Sequence, residues 1–209
     1  MTKSVVVLDY GSGNVRSALR ACQRVGLDAQ LSADPQQVLN ADGLVVPGVG
    51  AFAAVMSQLE AVGAPQLIDQ RLAGGRAVLG ICVGMQIMFT DSDEHELTPG
   101  LGQWPGHVRR LPAKVVPHIG WSQVHAGENS QLLQGLDGQR FYFVHSYALL
   151  EPAEWEAGPL PAPIASWANY QGDFVAAYEN GALSATQFHP EKSGDAGMEL
   201  LSNWKHMLS

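Results

Sequence analysis

Two stretches of this 209-residue chain hold residues able to do covalent chemistry together: Gly80-Ile81-Cys82-Val83-Gly84 and, far downstream, Phe188-His189-Pro190-Glu191. A cysteine thiolate is a nucleophile, and an imidazole beside a carboxylate is the base it needs. The imidazole takes the thiol proton and later returns one to a leaving group, while the carboxylate orients the ring. His189 and Glu191 are two apart, so in extended backbone they share a side. Glycines two before and two after Cys82 suit a sharp strand-to-helix elbow, because they remove Cβ atoms that would clash there. Cys82 would then sit at a helix N-terminus, where free N–H groups and the dipole favour thiolate. The Val83 N–H would point to a tetrahedral oxyanion, and the turn Pro47-Gly48-Val49-Gly50 could supply a second donor. Each stretch alone has a plainer reading: a packed cysteine, a surface strand end, a glycine-rich turn. Read together, they make a catalytic hypothesis. A metal reading of His-x-Glu is weak, since no other His or Cys offers ligand spacing.

The elements that must position these residues alternate in the first half of the chain. Apolar runs at 4–8, 43–46 and 77–81 read as buried strands of parallel type, and 28–31 as a short strand. Between them, helical spacing runs from Val15 through Ala18, Leu19, Cys22 and Val25, opens again at Asp34-Pro35, and recurs at 52–59 and 66–72. Cys22 falls on an apolar helix side and reads as core packing. The elbow predicts helical spacing on to Phe89. Residues 91–96 form an acidic run, read as a solvated loop. Beyond Gly106 the pattern turns to short β-like runs at 107–111, 119–124, 141–147, 174–178 and 183–188, punctuated by prolines. The four-proline stretch 152–163 reads as a surface connection, and 195–208 as a closing amphipathic helix.

The length fits one sizeable α/β domain over residues 1–209. A net charge of −8 argues against nucleic acid or an anionic membrane as the main partner. Two cysteines give no disulfide framework, which suits a reducing cytoplasm. The N-terminal apolar run is too short for a signal peptide, and no segment approaches the roughly 18 apolar residues of a membrane helix.

With GICVGMQ at 80–86 and FHPEKS at 188–193, the chain resembles the class I glutamine amidotransferases. DYGSGNVRS at 9–17, PGVGAF at 47–52, PHIGW at 117–121 and FVHSY at 143–147 resemble the members that serve histidine biosynthesis beside a (β/α)8 cyclase. The resemblance spans nearly the whole chain in order. It implies a doubly wound, flavodoxin-like, mostly parallel α/β sheet with an added antiparallel β region. It also implies a Cys82, His189, Glu191 triad that hydrolyses L-glutamine through a thioester, with no metal or cofactor. By the same resemblance Gly48, Gln86, His145, Ser146 and Tyr147 would hold glutamine. Val83, with Val49 or Gly50, would form the oxyanion hole. His118, Gly120, Trp121, Tyr142 and Lys192 fall in motifs that face the cyclase in a heterodimer. Val83, Ser12 and Val15 depart from the family's usual residues, but none of them is a reacting group. Relatives that feed anthranilate or aminodeoxychorismate synthesis fit less well, because Met85 and Lys192 stand where they differ. A non-catalytic glutamine-binding regulator and a free-standing γ-glutamyl hydrolase are the readings from other classes.

Overall fold

Strands buried on both faces read as near-continuous apolar runs, and that pattern marks the centre of the sheet. The computed structural model describes residues 2–11, 13–155 and 161–208. The first half runs β1 (Ser4–Leu8), α1 (Val15–Arg24), β2 (Asp28–Ser32), α2 (Pro35–Asn40), β3 (Gly43–Gly48), α3 (Phe52–Ala61), α4 (Ala64–Ala73), β4 (Ala77–Cys82) and α5 (Val83–Gln86). The second half is mostly β: β5 (Asp91–Ser92), β6 (Thr98–Pro99), β7 (His107–Arg110), β8 (His118–Gln123), β9 (Arg140–His145) and β10 (Tyr147–Leu149). It closes with β11 (Ile164–Asn169), β12 (Asp173–Asn180), β13 (Leu183–Thr186), a 3-10 turn (Pro190–Lys192) and α6 (Gly194–Met207).

The main sheet has the order β11-β12-β13-β4-β3-β1-β2. Its strands β2, β1, β3, β4 and β13 run parallel, and β12 and β11 add an antiparallel edge. From β1 the chain adds β2 on one side and β3 and β4 on the other, which is the strand-order reversal where open α/β sheets bind ligands. The added β region is a four-stranded sheet, β10-β7-β5-β6, and a separate β8-β9 pair. Within the former, β5 and β7 run parallel while the other pairs are antiparallel. The doubly wound class expected from the sequence is therefore the observed one.

Local signals account for several boundaries. Asp34 caps α2 by accepting from the Gln37 N–H at 2.9 Å, with Pro35 in the first turn. Cys22 is buried on α1, and burial together with the negative charge of Glu191 pushes its thiol up to about 12. No helix among the described residues is long and apolar enough to cross a membrane.

Two expectations need correction, and one strand is unexpected. Helical spacing after Cys82 yields a single turn, because Met88 and Phe89 bond back three residues, not four. The acidic run is only partly solvated: Asp91 and Ser92 form β5, and Asp91 accepts from His107 at 2.8 Å and Arg109 at 3.2 Å. Residues 164–169 form a strand, β11, that periodicity did not reveal, interrupted by a register shift at Ser166/Trp167. Of the connection at 152–163, residues 156–160 lie outside the described residues, as does Ser12. The flanks 152–155 and 161–163 carry neither strand nor helix.

Candidate active site

Strands β3 and β4 end side by side, in a register that sets Gly48 opposite Cys82. Three glycines allow the elbow there. A Cβ on Gly80 would lie 2.5 Å from the Gly84 carbonyl oxygen, one on Gly84 1.9 Å from the Val46 oxygen, and one on Gly48 2.4 Å from the Gly84 nitrogen. Any side chain would force the strands and α5 apart. Cys82 itself takes φ 57° and ψ −113°, a conformation L-residues rarely adopt and one that the surrounding packing must hold.

His189 and Glu191 meet differently from the extended pairing the spacing suggested. His189 ends the extended segment, and the 3-10 turn that follows swings Glu191 back beneath the ring. His189 Nδ1 donates to Glu191 Oε1 at 2.8 Å, and both side chains are almost fully buried, at 3% and 4% exposure. Asn14 Nδ2 adds a longer contact of 3.4 Å to the same oxygen. With Nδ1 engaged, Nε2 is the ring nitrogen left to face Cys82. Burial works against a charged ring here, but hydrogen bonds and charge from Cys82 and Glu191 outweigh it and hold His189 up at about 9. A one-turn helix has little dipole, so the polarity around the thiol comes chiefly from neighbouring groups. The thiol is also within reach of the Val144 carbonyl, at 3.8 Å, and it accepts from Gln187 Nε2 at 3.7 Å.

Cys82 and His189 open onto a cleft of about 270 Å³. Of the residues expected to contact substrate, Gln86, His145, Ser146 and Tyr147 line it, as do Val49, Gly50 and Val83 of the expected oxyanion hole. Gly48 lies behind them, packed on the elbow. Gly50 takes φ +100° with open space where a Cβ would be, so the turn after β3 is free of packing on that side.

His145 is held rigidly. Its Nδ1 donates to the Tyr147 carbonyl at 3.0 Å, so its Nε2 accepts, from His118 Nδ1 at 3.1 Å. His118 Nε2 accepts in turn from the Ser122 hydroxyl at 3.0 Å. Burial drives His145 down to about 3 and lowers His118 as well, so both rings are neutral near pH 7.

Among the residues of the partner-facing motifs, Trp121 is exposed and packs edge-on against Tyr142, with ring centroids 5.9 Å apart. Gly120 and Tyr142 are half-buried, and Lys192 is exposed at the cleft. His118 does not face outward: side chains alternate along β8, and its ring stacks on Tyr170 at 4.2 Å inside the protein.

Two residues at the site, one on the cleft and one buried behind it, carry no signal in the motifs. Glu94, from the acidic run, lines it and accepts the Phe52 N–H at the start of α3 at 2.7 Å. Nothing in the local sequence separates Glu94 from its acidic neighbours. Gln187 is fully buried beside Cys82, and its place two residues before His189 is the one signal that could have found it.

A nucleophile, an oriented base and a polar pocket beneath two backbone turns can carry out acyl transfer from an amide. The sequence pattern of the class-I glutamine amidotransferases matches residues 6–207. Imidazole glycerol phosphate synthase subunit HisH of Corynebacterium diphtheriae is 58% identical, covering 99% of this chain and all of that one. The HisH subunit of Streptomyces coelicolor is 57% identical over 99% of this chain and 94% of its own. Two more distant solved structures share the fold. A crystal structure of a glutamine amidotransferase has TM-score 0.72 at 18% identity, covering 95% of this chain and 98% of its own. PurLQS from Thermotoga maritima has TM-score 0.73 at 17% identity over the full length of both chains. The chain belongs to the class-I glutamine amidotransferases, and within them to the HisH family.

Proposed function

We propose that the chain, acting as one domain over residues 1–209, is the glutaminase subunit of an imidazole glycerol phosphate synthase. The reading is carried by one observation: Cys82 and His189, whose ring Glu191 holds, share a cleft with Gln86, Ser146, Tyr147 and Glu94. The Cys82 thiolate attacks the side-chain carbonyl carbon of L-glutamine, forming a C–S bond and an oxyanion. N–H groups of Val83 and of Val49 or Gly50 stabilise that oxyanion. His189, protonated on Nε2, gives its proton to the departing nitrogen as the C–N bond breaks, and ammonia leaves. Water then adds to the thioester, returning a proton to His189. The C–S bond breaks, glutamate departs and the thiolate is restored.

Glu94 and Lys192 place one carboxylate and one ammonium on the cleft wall, a fit for the zwitterionic end of a free amino acid. Gln86, His145, Ser146 and Tyr147 enclose the remainder, with Gly48 supporting the turn. No step calls for a metal or cofactor. In this reading the ammonia passes to a (β/α)8 cyclase bound as a heterodimer in the cytoplasm. The surface around Gly120, Trp121, Tyr142 and Lys192 meets that partner, and His118 acts from behind it. The synthase as a whole then yields imidazole glycerol phosphate and an aminoimidazole carboxamide ribotide, a carbon–nitrogen lyase reaction fed by channelled ammonia.

The test replaces Cys82 by alanine in the assembled complex. Glutamine-dependent turnover is expected to vanish while added ammonium salts still support the cyclase. Glutamine turnover within tenfold of the wild type would reject Cys82 as the nucleophile.

A further inference from the structure

Strands β4 and β13 are parallel neighbours, with Ile81 opposite Thr186. The next residue is therefore Cys82 at the end of β4 and Gln187 just past the end of β13. Gln187 is wholly buried, and its backbone N–H is satisfied by the Ala176 carbonyl at 2.8 Å. Its side-chain amide makes two further contacts, one from each end. Oε1 accepts from Gln86 Nε2 at 3.0 Å, and Nε2 donates to the Cys82 sulfur at 3.7 Å.

The orientation of both amides follows from the network. Gln86 Nε2 also donates to the Tyr147 carbonyl at 2.8 Å, so that end of Gln86 must be the NH2. A reversed Gln187 would then set one NH2 against another. Both hydrogens of Gln86 Nε2 are consumed inside the protein, and its Oε1 is the end left for the cleft it lines. An acceptor there suits an N–H of the substrate. At its other end Gln187 offers the sulfur an N–H, a contact stronger for thiolate than for thiol.

We propose that Gln187 is a positioning residue of the glutaminase site, locking the Gln86 amide with its carbonyl oxygen while its NH2 favours the thiolate of Cys82. The inference rests on the glutaminase reading for its kinetic part, and on the geometry around Cys82 alone for its reactivity part.

The test compares Gln187→Glu with Gln187→Met in the full chain. Glutamate keeps an acceptor for Gln86 but has no N–H for the sulfur, and methionine has neither. In complex with the cyclase, Gln187→Glu should lower kcat about 10- to 100-fold, the worth of a hydrogen bond to a charged group, with KM for glutamine within about threefold. Gln187→Met should lower kcat similarly and also raise KM at least about tenfold. In the isolated chain, iodoacetamide labelling of Cys82, followed by peptide mapping, should move to higher pH in both variants. A merely structural role reduces the active fraction, so a lower kcat with unchanged KM and labelling profile would overturn the proposal. Unchanged kcat and labelling would do the same. Should the buried carboxylate of Gln187→Glu prevent folding, the apolar variant still decides the labelling question. Labelling needs no glutamine. A wild-type complex that releases no glutamate would refute the glutaminase reading, whereas an undisplaced labelling profile would refute the role of Gln187.

Discussion

The backbone N–H of His189 donates to the carbonyl of Tyr142 at 2.9 Å, which fastens the ring facing Cys82 to the middle of β9. Tyr142 N–H donates in turn to Ser193 Oγ at 3.0 Å, and that hydroxyl donates back to the His189 carbonyl at 2.6 Å. Across the β8–β9 pair, Tyr142 stands opposite Trp121, whose ring is 46% exposed. One strand thus separates an exposed aromatic surface from the reactive histidine.

That arrangement gives a docked partner a short path to the site. A free glutaminase would waste ammonia, so the resting chain is expected to be nearly idle, with the Pro47–Gly50 turn holding its N–H away from the oxyanion. Loss of one oxyanion donor lowers turnover about 10²–10³-fold. Trp121→Ala should weaken stimulation by the cyclase and the nucleotide substrate on which the cyclase would act more than it weakens glutamine binding. Glutamate release is measured for the isolated chain, with cyclase, and with cyclase plus nucleotide; equal wild-type rates in all three would sink the switch.

Glu94→Gln keeps an acceptor for the Phe52 N–H but removes the charge from the cleft wall. If that carboxylate meets the substrate ammonium, KM for glutamine should rise about tenfold or more, the scale of a charge-assisted hydrogen bond. The melting temperature should stay close to that of the wild type. An unchanged KM would assign Glu94 to capping α3 alone.

Two glycines of the site should respond differently to alanine. Gly84→Ala drives a methyl into the Val46 carbonyl, a collision that overpacks the elbow and destabilises by about 1–3 kcal/mol or more. For a domain of this size, each kcal/mol lowers the melting temperature by about 2–4 °C. Gly50→Ala has open space but a positive φ, so it restrains the turn rather than the core. It should change turnover by a larger factor than its thermal shift predicts. Paired thermal melts and rate assays of the two variants check this.

Stability should be greatest near neutral pH, with a separate cause on each limb. His189 is raised from 6.5 to about 9, so its contribution is complete below 6.5 and is lost as pH rises through about 9. His145 is lowered to about 3, so below 6.5 the unfolded chain takes a proton that the folded chain refuses, and stability falls. Thermal melts of the isolated chain from pH 5 to 9.5, a range spanning both limbs, should show this dome. His189→Asn should reduce the alkaline limb and leave the acid limb, the remaining loss near pH 9 belonging to Cys22, whose thiol is raised to about 12; an unchanged alkaline limb would contradict the charged-ring assignment.

Much of this was legible in the residues because it depends on short-range sterics and burial. The central strands β1, β3 and β4 announce themselves as apolar runs, since strands covered on both faces are dominated by apolar side chains. The elbow shows through Gly80 and Gly84, because only residues without a Cβ let β3, β4 and α5 approach so closely. Tertiary packing decided the rest. Periodicity extends past Gln86, yet α5 stops after one turn, where the amides of Met88 and Phe89 turn to carbonyls three residues back and the chain leaves the helical path. His118 and Trp121 stand three residues apart in one motif, but β8 pairing sends one ring inward to His145 and the other to the surface. Glu94 and Gln187 reach the site through contacts with Phe52 and Gln86, 42 and 101 residues away along the chain. Hydrogen bonds at such separations leave no periodic mark, because what brings the partners together is strand register and loop path, which exist only once the chain has folded.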